Sequence, residues 1–148
     1  VSAGTIYNYY ESKADLLGDT IESIWREIFF NPEDEQVFKD VAACISWIYK
    51  RLEYGNEQFP GFFSLHSLGF MKDEKMDGKK KMLQTWGHIL NGLCDILKND
   101  PKIRPDVFDE QFTEKQFADI LFSLILVSMI RQDYNPSSIL MLINKTLY

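Results

Sequence analysis

VSAGTIYNYYESKADLL (residues 1–17) is the stretch on which the reading of this chain turns. Ser2 stands where an N-cap oxygen would satisfy the free amides of a short helix over residues 3–10. Ser12 does the same for a second helix, with Asp15 three residues on, in the position that completes a capping box. Two helices are therefore expected to meet at Glu11-Ser12. In the first, Ile6 and Tyr10 lie four apart and share an inward face.

Helical punctuation continues outward from this junction, and no alternating β-branched runs interrupt it. The fold class read from the sequence is all-α. Leu16, Leu17, Thr20, Ile21, Ile24, Trp25 and Ile28 form one stripe that stops before Asn31-Pro32. A third helix is expected over 35–54, with Gly55-Asn56 as its stop and Pro60-Gly61 as a break. The charged run KDEKMDGKKK (72–81) reads as a solvated turn and helix entry, and 82–98 as a helix closed by Asn99-Asp100-Pro101. Thr113 is the expected N-cap of a helix over 114–132, and Asn135-Pro136-Ser137 opens the last one.

With 148 residues the chain fits one hydrophobic core. Its net charge of −6 argues against a whole-molecule electrostatic grip on nucleic acid, so any contact with DNA must be local. Cys44 and Cys94 are too few for a disulfide framework and lack zinc-site spacing; both read as small buried hydrophobes in a reducing compartment. The start of the chain lacks a signal-peptide pattern, and the longest apolar run, ILFSLILVSMI (120–130), is too short to cross a bilayer. A cytoplasmic protein without membrane contact is expected.

The opening stretch resembles the second half of the helix-turn-helix of the TetR family of transcriptional regulators. The resemblance rests on Val1-Ser2, Gly4-Thr5-Ile6-Tyr7, Tyr9-Tyr10, Ser12-Lys13 and Leu16-Leu17, which match recognition helix, turn and the start of the following long helix. It implies a division into residues 1–11, the C-terminal part of a DNA-reading head, and residues 12–148, a helical regulatory domain with an effector pocket and C-terminal dimerisation helices. It also implies two supporting helices upstream of Val1, so DNA binding is expected of the intact protein only. The chemistry suits such a head. Ser2, Ala3, Gly4 and Thr5 are small enough to bring a helix N-terminus close to phosphate. The hydroxyls of Tyr7 and Tyr9 and the Lys13 ammonium can contact the backbone, and Asn8 can reach a base edge.

The resemblance further implies that a small molecule between the helices moves the helix beginning at Ser12 and so changes the spacing of two reading heads. Candidate pocket residues are the aromatic or weakly polar groups on inward stripes: Trp25, Phe29, Trp47, Phe63, His66, Phe70, Trp86, His88 and Phe122. This lining favours an apolar or aromatic effector held by a few polar groups. The last two helices carry more apolar residues than one monomer core needs, which points to packing against a second copy through Ile120, Leu124, Ser128, Ile139, Leu142 and Ile143.

No Gly-rich phosphate loop, nucleophile elbow or His-x-x-x-His pair is present, and no catalytic residue, metal site or cofactor is expected. The reading is a ligand-responsive TetR-like regulator, a repressor that binds a palindromic operator as a homodimer and is released by its effector. The alternative is a helical dimerisation or ligand-carrying module without DNA function.

Overall fold

A computed structural model describes residues 13–29, 38–63 and 76–148, with side chains at all of these except 13–19, 21, 76–82 and 85. The opening helix and the Glu11-Ser12 junction lie outside the described residues. Those described form α1 (Lys13–Phe29), α2 (Val41–Gln58), α3 (Met76–Asn99), α4 (Glu114–Arg131) and α5 (Ser137–Leu147), with no strand among them. The architecture is all-α. α1 lies along α3 as the most extensive helix pair, α3 also packs on α4, and α2 touches α1, α3 and α5.

α2 corrects the expected boundaries at both ends. Phe38–Asp40 are not helical, and the helix starts at Val41 instead of residue 35. Asp40 decides this: its backbone is extended, and its Oδ1 accepts the Ala43 amide at 2.7 Å, satisfying a free donor of the first turn. At the other end Gly55 does not stop the helix, which runs on to Gln58. Gly55 is buried, and a Cβ placed on it would stand 2.7 Å from Ile28 Cδ1 and 3.0 Å from Phe63 Cζ. The glycine therefore serves the close approach of α1 and the Phe62-Phe63 segment to α2. The chain turns at Pro60-Gly61, where Gly61 adopts φ 80°, a left-handed conformation that suits a residue without Cβ.

α3 begins at Met76, earlier than the expected residue 82, because lysines propagate a helix well and Gly78 is a single interruption. α4 follows its sequence signals closely. Thr113 Oγ1 accepts the Gln116 amide while Gln116 Oε1 accepts the Thr113 amide, a reciprocal capping box, and Gln132 ends the helix with φ 54°. Before α5, Asn135 Oδ1 accepts both the amide and the hydroxyl of Ser137, ordering the first turn.

The core gathers Trp25 and Ile28 from α1, Ile45 and Leu52 from α2, Leu93 from α3, Leu121 from α4 and Ile143 and Leu147 from α5, all fully buried. This placement changes the expected association surface. Ile139 and Ile143 belong to the chain's own core, because the 139/143/147 spacing is the stripe α5 turns inward. Met141 and Leu142 lie exposed on the same helix. On α4, Ile120 and Leu124 are exposed together with Val127 and Ile130, whereas Ser128 is half-buried and hydrogen-bonded to Tyr49 at 2.7 Å. Cys44 is buried as expected and Cys94 only partly so. Among the described residues no helix is long and apolar enough to cross a membrane.

Candidate functional site

Three helices and the residues before α2 enclose a cleft of about 120 Å³. α2 offers Cys44, Trp47 and Ile48, which the helical repeat sets on one face, and α3 answers with Ile89, Leu93 and Ile96. Phe29, the last residue of α1, and Phe38 close the ends. The Trp47 ring stands between those two phenylalanines, 6.4 Å from Phe29 and 5.3 Å from Phe38 between centroids, at steep tilts that leave ring edges and faces turned into the space. A cavity of about 150 Å³ holds one benzene ring, so this cleft is sized for a single ring or a short alkyl chain. Exposed His88 lies at the rim.

Cys44 contributes its thiol to the wall, and burial pushes its pKa up to about 12. At neutral pH it is a small apolar surface with no thiolate to act as nucleophile or metal ligand. Tyr49, one residue past Ile48, faces α4 instead; burial raises its hydroxyl above the usual range while Ser128 engages it.

Of the candidate pocket residues, Phe29, Trp47 and His88 come together here. Trp25 and Phe63 lie in an adjoining aromatic cluster with Phe62, at centroid distances of 5.4 to 5.6 Å, and serve as core. Trp86 meets Phe122 edge-on at 5.7 Å and joins α3 to α4. His66 and Phe70 lie outside the described residues, as do Ser2, Ala3, Gly4, Thr5, Tyr7, Asn8 and Tyr9; Lys13 opens α1, but its side chain is also outside them. Sequence reasoning missed Phe38, Cys44, Ile48, Ile89, Gly92, Leu93 and Ile96 as lining residues. Their signal was present as a second apolar stripe, 89/93/96, facing 44/48, but a stripe alone does not reveal where two helices stand slightly apart.

The end of α1 is fastened beside the cleft. Arg51 on α2 donates from Nε to the Ile28 carbonyl and from Nη2 to the Glu27 carbonyl at 2.9 Å, occupying acceptors that the helix itself leaves free. Its guanidinium also lies 4.3 Å from the centre of the Tyr54 ring. Phe29 is thus held against α2 by a cation at the negative end of the α1 dipole.

Next to the cleft runs an open groove of about 400 Å³ bordered by Phe38, Lys39, Gly92, Asp95, Asn99 and Asp100. At its base Asp100 is buried and fully engaged. Its Oδ2 accepts the Val41 amide at 3.0 Å and the Tyr148 hydroxyl at 2.6 Å, and its Oδ1 accepts the Lys102 amide at 2.9 Å. One carboxylate therefore ties the start of α2, the end of α3 and Tyr148 together. Asp40 beside it is held below the usual carboxylate range, first by the Lys102 ammonium at 2.8 Å and then by the Ala43 amide.

Comparison of the chain with protein-family models, curated proteins and solved structures returns no significant match.

Proposed function

We propose that this chain is the sensing part, with the recognition helix, of a TetR-like transcriptional regulator that represses as a homodimer and leaves its operator when a small molecule binds. The observation that carries the reading is the path of α1. It begins at Lys13, directly after the stretch that resembles a recognition helix, and ends at Phe29 in the wall of the aromatic cleft. One rigid element thus runs from the site where a ligand fits to the segment that would read DNA.

The physical logic is a population shift. An effector that prefers one seating of Phe29 against Trp47 favours one orientation of α1, and operator affinity falls if that orientation misplaces the reader. Two heads must meet half-sites about 34 Å apart, so a small rotation of α1 is enough to lose register. The exposed row Ile120, Leu124, Val127 and Ile130 on α4 supports pairing with a second copy.

A mobility-shift experiment with the native protein and its own promoter DNA at low salt tests the reading. A retarded band is expected, weakened by Tyr7→Ala and by Lys13→Ala through loss of phosphate contacts. Unchanged mobility would overturn it in favour of a helical ligand-carrying module.

A further inference from the structure

The cleft and the groove share Phe38, Gly92 and Ile96. Gly92 is the seam between them. It sits inside α3, where glycine is among the poorest residues for a helix, and a Cβ on it would meet no atom within 4 Å. Packing therefore does not require a glycine there. Gly87 is equally unconfined but borders neither space, so what distinguishes Gly92 is its place on both walls. With no side chain at the seam, the two spaces connect, and together they reach the size usual for small-molecule sites, roughly 300–1,000 Å³.

We infer that the joined site takes an amphipathic organic amine, with a ring or short alkyl body in the aromatic cleft and a protonated nitrogen in the groove over Asp95. The inference rests on reading the cleft as the effector site. The body is specified by Phe29, Phe38, Trp47 and Ile89, which offer ring faces and methyl groups, with the Trp47 indole N–H as their one hydrogen-bond donor. The head is specified by charge. Three ionised side chains border the groove, Lys39, Asp95 and Asp100, two acidic and one basic. Lys102 is paired with Asp40, and Lys39 also lies close enough to lower the Asp40 carboxyl. Asp100 spends its lone pairs on Val41, Lys102 and Tyr148. Asp95 remains, exposed on the groove wall one turn from Gly92 and making no ion pair among the described residues. A cation entering past Gly92 meets that carboxylate and the ring of Phe38, which borders both spaces; a carboxylate and a ring face both attract positive charge. A carboxylate head meets Asp95 and the ring face unfavourably and has only the exposed Lys39 ammonium to pair with.

The test uses a matched pair of probes, 4-phenylbutylamine and 4-phenylbutyrate, titrated calorimetrically into the native protein. The amine is expected to bind about two- to fivefold more tightly than the acid, the preference an exposed ion pair supports. Asp95→Asn is expected to abolish that preference. Gly92→Leu is expected to weaken amine binding at least tenfold while leaving thermal stability equal or higher, because its Cβ meets no atom within 4 Å and leucine is a far better helix former than glycine. Should that variant misfold, Gly92→Ala carries the same test with a loss of about threefold. Equal or tighter binding of the acid, no binding of either probe, or an unchanged affinity in both glycine variants would overturn the inference. The DNA experiment is separate. A protein that retards promoter DNA but ignores the amine loses only this ligand class, and one that binds the amine without retarding DNA keeps the site and loses the regulator reading.

Discussion

Two apolar regions of this molecule, one aromatic and one mainly aliphatic, are opposite in what they leave uncovered. In the first, Trp25 and Phe29 of α1 stack at 5.6 Å, Phe62 and Phe63 close over Trp25, and nearly all of that ring surface is out of water. In the second, α4 buries Phe117, Leu121, Ile125 and Met129 but leaves Ile120, Leu124, Val127 and Ile130 exposed, and α5 leaves Met141 and Leu142 exposed. The first region is complete within one chain. The second carries a row at helical spacing that nothing among the described residues covers, the pattern of a surface shaped for another partner. Neighbouring residues on one helix can therefore belong to different structural problems.

Leu142 and Ile143 offer the most severe test of that contrast. Ile143 is fully buried and Leu142 is 43% exposed. Truncating a buried isoleucine removes transfer energy and leaves a cavity, so Ile143→Ala should cost about 2–5 kcal/mol and lower the melting temperature by several degrees in a thermal scan. Leu142→Lys places a charge where water already reaches and should unfold the monomer far less. If a second copy covers this face, the same variant should halve the sedimenting mass. An unchanged mass for both Leu142→Lys and Leu124→Lys would show that the face is not where copies associate.

The next effect lies at the junction of the two regions, where Asp100 holds α2, α3 and Tyr148 in one cluster. Removing a buried acceptor that serves three donors leaves those donors unpaired, and Asp100→Ala should cost about 2–4 kcal/mol by denaturant titration. Asp40→Ala removes an exposed N-cap and should cost about 1 kcal/mol. Asp40→Ala differs from a third change, Tyr148→Phe, in its pH signature. The Asp40 carboxyl is lowered in the fold, so the stability it lends is present above its ordinary value of 3.8 and is lost as pH falls below it. The Tyr148 hydroxyl is raised, by burial first and then by the Asp100 bond, so its contribution is complete below the ordinary value of 10.0 and is lost as pH climbs beyond it. Asp40→Ala should therefore flatten the acid limb of the stability profile, and Tyr148→Phe the alkaline limb. A variant that flattened the other limb would contradict the assignment.

How far the sequence foretold these regions follows from the range of the forces involved. Signals that act within one turn were legible. Thr113 reads as a cap and is one, Pro60-Gly61 breaks the chain, and Asn99-Asp100-Pro101 closes α3. Signals that depend on a neighbour were not. Gly55 looks like a helix stop because glycine usually is, yet here Ile28 and Phe63 press on it from outside the helix. Asp100 reads as part of a terminator, and nothing local announces that Val41 and Tyr148 converge on it. The aromatic candidates Trp25, Phe63, Trp86 and Phe122 share their spacing with Phe29 and Trp47, but only the last two border the cleft, since periodicity tells which face is inward and not whether the inside is filled. In α5 the same limit appears from the other direction: the apolar stripe was legible, but its division into inward Ile139 and Ile143 and outward Leu142 depends on how α5 is rotated against α2.

The smallest effect probes how α4 ends and hence where its exposed row stops. Gln132 adopts φ 54° and ψ 38°, and it donates its amide to the carbonyls of Ser128 and Met129, while the Asp133 amide also reaches Ser128 at 3.0 Å. This arrangement closes the last turn and satisfies carbonyls the helix would otherwise leave bare, but it places a residue with a Cβ in the left-handed region. Glycine adopts that conformation without the steric cost, at the expense of a more flexible unfolded chain. The two terms nearly offset. Gln132→Gly should therefore stabilise by no more than about 1 kcal/mol in a denaturant titration, with the sedimenting mass unchanged, because the turn and the rotation of α4 are preserved. Gln132→Val should do the reverse, since a β-branched side chain tolerates the left-handed region worst. If both substitutions proved equally harmless, the turn would be held by the Asp133 bond and not by the conformation of residue 132, and the end of the exposed row would be set by packing alone.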